Sequence, residues 1–466
     1  MKVTWRAALV VLTLAASSHA QAPSKPAPPS QPAPAQATAP VKESAIGHLS
    51  TEIAQALGQV PAGAVVVASQ IASDVPTPKG DELAVRIATQ IAGRLGVARA
   101  HPQPASLAVA RGLSGRAASL VHVQLEIKQG TLRATADLYP VVSNGWERLR
   151  NPVPGPRAHA FASSPLDAEV RSFMAPVPLE QASVHKAKHE ETDVVAIGCG
   201  DVDQDGGLEL VIVSRARVVL GKLRAGKLVA SKTTSWANLA SRAPAPLREP
   251  IAAALVSPRS RPGDIFLGST DRGSIVVDAS LVTKRVLTGI PIPGADGDAC
   301  VVPSPDSGSF DGNAVVCTVP TKGEPATAFT APTPRYDAVA AFELVGKDGS
   351  LADVVAAREP TGKLRLRRTD RGAPANAKPL EATIDNVGAQ LAVGDLDLDG
   401  VPEIVTTNDA GDDVLAITTW NPKGTLYPRL RLPAKDGVRA VAVCPPEDRG
   451  VPAVVAVVGS EIWLVR

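Results

Sequence analysis

Acidic side chains recur at one spacing in two places of this chain. Asp201, Asp203, Asp205 and Glu209 stand at positions 1, 3, 5 and 9 of a stretch with Gly206 at position 6, and Asp395, Asp397, Asp399 and Glu403 repeat the pattern around Gly400. Carboxylates at alternate positions of a tight loop, with a glycine to allow the turn, gather hard oxygen donors round one cation. Their number and charge suit Ca²⁺. In a helix–loop–helix calcium site the loop would end on a bidentate glutamate at position 12. Here the apolar runs 194–198 and 208–213 flank the first copy, and these read as strands. A solvated Asp turn without metal is the alternative at each copy.

The loops need strands to hold them, and the same rhythm recurs along the chain: a short apolar strand, a polar loop, then a second apolar strand. It falls at 194–213, 251–267, 299–316, 338–356, 391–405 and 438–457, with starts about 39 to 57 residues apart. That is close to the period of four-stranded propeller blades. Only the first and fifth units keep the full acid set, so only two loops are expected to hold metal.

A calcium loop joining two strands resembles the FG-GAP or VCBS repeat, the blade-forming unit of integrin-type β-propellers. The resemblance implies a mainly β fold, a six- or seven-bladed β-propeller. It also implies two structural Ca²⁺ ions. One would be held by Asp201, Asp203, Asp205 and Glu209 with the Gly207 carbonyl, the other by Asp395, Asp397, Asp399 and Glu403 with the Val401 carbonyl. A closed ring needs a strand from its other end to complete the last blade. Residues 169–179 are the expected closing strand, unless 145–179 hides a degenerate seventh blade.

Ahead of the repeats the pattern is helical. Ile46, Leu49, Ile53 and Leu57 share one face, as do Leu83, Ile87, Ile91 and Leu95, while Val121, Val123, Leu125 and Ile127 alternate with polar residues as in a half-buried strand. The element order gives a small α+β domain similar to the N-terminal domain of TolB or to the CsgG and LpoB group of envelope domains. Lys2 and Arg6, an apolar run and Ser18-His19-Ala20 read as a cleavable secretory signal, with a run too short to span a bilayer. The expected organisation is therefore a signal peptide (1–20), a Pro/Ala-rich disordered linker (21–42), the α+β domain (43–150), a linker with the closing strand or degenerate blade (151–192) and the propeller (193–466). Export implies a periplasmic or secreted protein with no transmembrane segment after cleavage.

Loss of Lys2 and Arg6 lowers the 48 basic residues to match the 46 acidic ones, so there is no basic excess to recruit nucleic acid. All seven histidines lie at or before His189, which denies the repeats an imidazole base. His185, His189 and Glu190 fall in a charged stretch that reads as a solvated linker. No Gly-x-Ser-x-Gly, His-Glu-x-x-His or Cys-x-x-Cys motif occurs. Aromatic residues make up 3% of the chain, few for stacking on sugars or bases. Cys300 and Cys317 stand at the two ends of one hairpin, and Cys199 and Cys444 occupy equivalent places in the first and last units. Either pair could form a disulfide or remain buried thiols.

The function expected is that of an exported, non-enzymatic, calcium-stabilised propeller, a protein-interaction or adhesion module of the cell envelope. Its partner would be an envelope or extracellular protein, or a glycan. A propeller-fold polysaccharide lyase or hydrolase is the alternative, with Lys, Arg or Tyr replacing the missing histidine.

Overall fold

The computed structural model describes residues 43–466 except 97, 116, 143–144, 151–153, 240–249, 258–262, 294–298, 304–308, 312–313, 318–327, 375, 409–411 and 447–449. The expected leader and Pro/Ala-rich linker lie outside the described residues. Among those described, no helix is long and apolar enough to cross a membrane.

Helix α1 (Ala45–Leu57) forms where Ile46, Leu49, Ile53 and Leu57 recur at three- and four-residue intervals, and all four are buried. Ser44 Oγ accepts the Gly47 amide at 3.1 Å to cap the start, and Gly58 ends the helix at φ 64°. After β1 (Ala64–Ser73), helix α2 (Gly80–Leu95) buries Leu83, Ile87 and Ile91. Then follow β2 (Ala98–Ala100), α3 (Leu107–Leu113), β3 (Ser119–Lys128), β4 (Thr131–Pro140), α4 (Gly145–Arg150) and β5 (Ala158–Pro165). The sheet order is β2-β1-β3-β4-β5, with β1 parallel to β2 and β3 and the other pairs antiparallel.

Val121, Val123, Leu125 and Ile127 share one core with α1 and α2. Gln129 (φ 50°) and Gly130 (φ 69°) make the tight β3–β4 turn. The sheet runs on past residue 150, where β5, with its alternating burial over 158–165, pairs with β4 from Thr131↔Pro165 to Leu138↔Ala158. Asp167 then caps the one-turn helix α5 (Ala168–Arg171), and Leu166, Val170 and Met174 join the same core.

Among the described residues the rest of the chain forms four four-stranded sheets, one eight-stranded sheet made of two four-stranded halves joined by the single parallel pair Lys227↔Lys188, and the short pair Phe310–Asp311 with Arg335–Tyr336. The halves and sheets give six groups of four strands, taken below in chain order. The first is Val194–Gly200, Glu209–Ser214, Arg217–Arg224 and Lys227–Ser235; the second is Ala252–Val256, Ile265–Ser269, Gly273–Val277 and Thr283–Leu287. The third is Gly289–Pro293, Ala299–Pro303, Ala314–Cys317 and Ala328–Thr330, and the fourth is Ala338–Val345, Leu351–Arg358, Leu364–Asp370 and Leu380–Ile384. The fifth is Leu391–Gly394, Glu403–Thr406, Val414–Trp420 and Leu426–Pro433. The sixth takes Val438–Cys444, Ala453–Val458 and Glu461–Val465, and completes itself with Val184–Lys188. First strands of consecutive sheets lie side by side, and that of the sixth lies against that of the first. The series closes on itself in a propeller-like arrangement.

Three expectations are corrected. The strand that closes the ring is Val184–Lys188, paired antiparallel with Glu461–Val465 from Val184↔Val465 to Lys188↔Glu461, and not 169–179. Asp167 turns the start of 169–179 into helix, and Pro176 and Pro178 withhold the amides that a ladder would use. The stretch with His185 and His189 is therefore a strand running into a turn, not a solvated linker: Lys186 stacks over the Trp463 ring at 4.4 Å and His189 is buried. The third repeat begins one strand earlier than its apolar rhythm, at Gly289–Pro293. Pro291 and Pro293 disguise that strand as a turn, yet they fit a first strand whose only ladder partner is Ala299–Pro303.

Candidate metal-binding loops

Both acidic stretches are the connections between the first and second strands of their sheets, the first sheet for 201–208 and the fifth for 395–402. Their backbones are near copies. Gln204 (φ 62°) and Leu398 (φ 54°) take the left-handed conformation at position 4, and Gly206 (φ 83°) and Gly400 (φ 80°) take it at position 6.

The hydrogen bonds repeat as well. The Gly206 amide donates to Asp201 Oδ2 at 3.0 Å and the Gly400 amide to Asp395 Oδ2 at 2.9 Å. Asp203 Oδ1 accepts from the Asp205 amide at 3.3 Å, as Asp397 Oδ1 accepts from Asp399 at 3.2 Å. Asp205 and Asp399 each accept, at 2.8 Å, the amide of the residue two further on, Gly207 and Val401. Glu209 Oε2 takes the Val202 amide at 2.6 Å and Glu403 Oε2 takes that of Leu396 at 2.8 Å. The acids thus fold the loop and crowd their charges together in doing so.

Carboxylate oxygens of Asp201, Asp203 and Glu209 in one loop, and of Asp395, Asp397 and Asp399 in the other, lie within 4.8 Å of one another. Of the eight expected carboxylate ligands, Asp205 and Glu403 are turned elsewhere. Asp205 Oδ2 meets the Lys222 ammonium at 2.5 Å, and Glu403 Oε1 accepts the Thr419 hydroxyl at 2.9 Å. Gly207 and Val401 are in the loops as expected, their amides engaged as above.

The electrostatics of the two loops differ. Lys222, from the third strand of the first sheet, reaches into loop 201–209, with Nζ 2.5 Å from both Asp205 and Glu209 and 3.5 Å from Asp203. Burial pulls its pKa down, but the hydrogen bonds to Asp205 and Glu209 outweigh that and the net shift is upward. The same contact holds the Asp205 carboxyl below its usual range.

Loop 395–403 has no ammonium. Arg429 of the fifth sheet stands 3.9 Å from Asp397 but is itself clasped by Glu180. Burial, with the neighbouring negative charges, pushes Asp395 up to about 8, Asp397 to about 6 and Glu403 to about 9. Protonating or neutralising three buried carboxylates is what this loop requires, and a divalent cation among them would meet the requirement with the oxygens already converged. The donor set fits Ca²⁺.

The acid near the start of the second strand is a wider pattern that the apolar rhythm did not disclose. Asp264 in the second sheet pairs with Lys284 at 2.5 Å, and Asp353 in the fourth pairs with Arg371 at 2.7 Å. The first sheet follows this rule through Glu209 and Lys222; the fifth, with Glu403, does not. Basic residues on or just after the third strand (Lys222, Arg371) or on the fourth (Lys284) were the available signal.

Behind the first loop, Cys199 and Cys444 form a disulfide across the seam between the first and sixth sheets, 245 residues apart in sequence. Cys300 is disulfide-bonded too and lies opposite Cys317 in the strand register. The inner strands enclose a cavity of about 1640 Å³, into which both loops (Asp201, Asp395) and the β3–β4 turn of the N-terminal sheet (Gly130) project.

No family model and no curated protein matches the chain. Among solved structures, the soluble aldose sugar dehydrogenase from Escherichia coli is similar at 12% identity and a TM-score of 0.37, over 61% of this chain and 99% of that one. BamB from Moraxella catarrhalis is similar at 12% identity and a TM-score of 0.31, over 59% and 85% of the two chains. A streptogramin B lyase is similar at 12% identity and a TM-score of 0.29, over 62% and 99%. All three are β-propeller-like proteins. At this level they carry nothing about activity, ligand or partner, and the FG-GAP/VCBS resemblance rests on the two loops.

Proposed function

We propose that the chain is an exported, non-enzymatic interaction module, a six-bladed propeller joined to a small α+β domain and stabilised by calcium. The observation that carries the metal is loop 395–403, where three buried carboxylates are held up to about 6, 8 and 9 with no ammonium among them. Asp395, Asp397 and Asp399 would hold the ion, with Glu403 and the Val401 carbonyl drawn in. Asp201, Asp203, Asp205 and Glu209 with the Gly207 carbonyl would form the second, weaker site, because Lys222 must first leave. The ion's role is structural: it fixes the turn between two strands, worth ~2.7 kcal/mol when free calcium is a hundredfold above the dissociation constant.

Absence of histidine from every residue after His189 supports capture over catalysis. Among the described residues Trp236, Trp420 and Trp463 are buried and Trp146 is the exposed tryptophan, which favours a protein partner over a stacked glycan. That partner would be an envelope or extracellular protein met in the periplasm or outside the cell.

Calorimetric titration of the mature protein should show calcium uptake that Asp395→Asn abolishes at the tighter site, and chelator should lower the melting temperature. No uptake with an unchanged melt would sink the metal. Turnover of polysaccharide, ester or phosphate substrates that is lost on changing one cavity-facing ionisable residue, with the fold intact, would replace the module by an enzyme.

A further inference from the structure

The N-terminal sheet meets the ring at one end only. Gly130 in the β3–β4 turn and residues 165–168 line the central cavity, and a Cβ on Gly450 would stand 2.5 Å from the Gly130 Cα. From that contact β4 runs outward for 10 residues, Thr131 to Pro140, so its far end lies about 30 Å away.

At the far end the register sets Arg99, Val65, Leu120 and Tyr139 in one row across β2, β1, β3 and β4. Helix α3 covers this row, with Ala110 packed among Val65, Leu120 and Tyr139. Arg111 lies over the Tyr139 ring at 4.8 Å and donates from Nη2 to the Pro154 carbonyl at 3.1 Å, which ties α3 to the chain on both sides of α4. With that face engaged, α3 leaves Val109 and Leu113 about half exposed, and α4 presents Trp146 at 73% and Leu149 at 75% exposure.

The charge at this end has one sign. Stretches 98–115 and 141–159 hold five arginines, no lysine and Glu147 as their single acid. Arg99, Arg150 and Arg157 are exposed. Asp137, two residues before Tyr139 on β4, is already engaged by His159 at 2.7 Å and by the Tyr139 hydroxyl at 3.3 Å. The excess is local, because the chain as a whole is nearly balanced.

We propose that the end of the N-terminal unit opposite the ring docks on an anionic lipid surface, with Trp146, Leu149, Val109 and Leu113 entering the headgroup layer and the arginines pairing with lipid phosphates. Apolar side chains that stand out from the end of a sheet bury their area in lipid without a matching pocket, and arginine pairs bidentately with phosphate. An acidic protein would supply the charge but needs pockets for four protruding apolar groups. This partner goes beyond the protein partner proposed above and is independent of the calcium reading.

Vesicle sedimentation of the mature protein tests this. Association with phosphatidylcholine vesicles that carry about a quarter phosphatidylglycerol should be on the order of tenfold stronger than with phosphatidylcholine alone, and should weaken as salt rises. Trp146→Ser with Leu149→Ser should lower it on the order of tenfold. Arg150→Gln with Arg157→Gln should remove most of the preference for anionic vesicles. These four side chains are exposed, so the melting temperatures of both variants should match that of wild type. Trp146 also reports directly, because the other described tryptophans are buried: anionic vesicles should move the emission to shorter wavelength, and Trp146→Phe should bind without the shift. No association, equal association with both vesicle types, or association untouched by the four substitutions overturns the proposal. Capture of polyglutamate without capture of vesicles overturns it in favour of an acidic protein partner.

Discussion

Loop 201–209 and loop 395–403 share their left-handed residues, their amide-to-carboxylate bonds and their place between first and second strands, yet only the first has a lysine among its acids. The first also has a disulfide at its back, since Cys199 lies two residues before Asp201 and is bonded to Cys444. At the equivalent place before the second loop stands Val393. One backbone thus carries two electrostatic settings: an internal ammonium with covalent bracing, and a set of buried carboxylates with no ammonium among them. The acid spacing fixes loop geometry, while residues far along the sequence decide which charges face the acids.

The largest effect that separates the loops is pH dependence in chelator. Asp395, Asp397 and Glu403 have folded-state pKa values raised to about 8, 6 and 9, above those of an unfolded chain. Such groups contribute their full stability below about pH 4 and lose it as pH rises through the folded values, at up to ~1.4 kcal/mol per pH unit for each group. Metal-free protein should therefore unfold more easily at pH 9 than at pH 5, and calcium should flatten the slope. In loop 201–209 the Asp205 carboxyl is depressed by Lys222, so its contribution has the opposite sign, present at neutral pH and lost as pH falls through the acid range. Denaturant midpoints across pH 5–9 for wild type and Asp395→Asn are the measurement. A slope that survives Asp395→Asn unchanged would detach it from this loop.

Next in size is the brace. Replacing Cys199 and Cys444 by Ala frees a 245-residue separation and should cost about 5–6 kcal/mol if the chain-entropy account holds. The loss should come with early exposure of the seam where Val184–Lys188 closes the ring. If reduced and oxidised protein share one denaturation midpoint, the first loop owes nothing to its covalent support.

These differences explain what could and could not be foreseen. The loops were legible because local spacing encodes them: positions 1, 3, 5, 6 and 9 need no knowledge of distant chain. The helices α1 and α2 and the β3–β4 hairpin were legible for the same reason, since their periods and turn residues are local. The closing strand was not, because an outermost strand is solvated on much of its surface and 184–188 carries His185, Lys186 and Lys188 where an apolar run was sought. Lys222 was hidden within Gly-Lys-Leu-Arg, and its role follows only from the first sheet's register, which places Gly221 opposite Leu210 and so brings the residue after it toward Glu209. Gly289–Pro293 was hidden by its prolines, and the Cys199–Cys444 bond depended on knowing which sheets become neighbours when the ring closes.

A direct exchange of the two settings comes third. Lys222→Met leaves Glu209, 2% exposed, without its cation, and breaking one side of such a buried pair costs about 3 kcal/mol. In chelator the variant should melt well below wild type. In calcium it should recover most of the loss and take up ions at two sites of similar affinity. A variant that stays destabilised in saturating calcium would mean that loop 201–209 cannot hold the metal even when emptied of its lysine.

The smallest expected effect tests what the loops have in common. Gly206 (φ 83°) and Gly400 (φ 80°) both occupy backbone conformations that an L side chain adopts only at a cost of about 1–2 kcal/mol. A Cβ on Gly206 meets nothing within 4 Å, and one on Gly400 meets the backbone of the neighbouring sheet's loop at ordinary contact distance, 3.5 Å from the Lys347 amide nitrogen and 3.6 Å from the Gly346 Cα. Sterics therefore add little at either place. Gly206→Ala and Gly400→Ala should destabilise metal-free protein by similar amounts, although neutralising Lys222 and neutralising Asp395 act in opposite directions. Equal glycine costs would show that the two loops are one backbone with different electrostatics. A Gly400→Ala cost well above that of Gly206→Ala, measured in chelator by denaturant midpoint, would mean that the fifth sheet's loop is strained by its neighbour as well as by its charge.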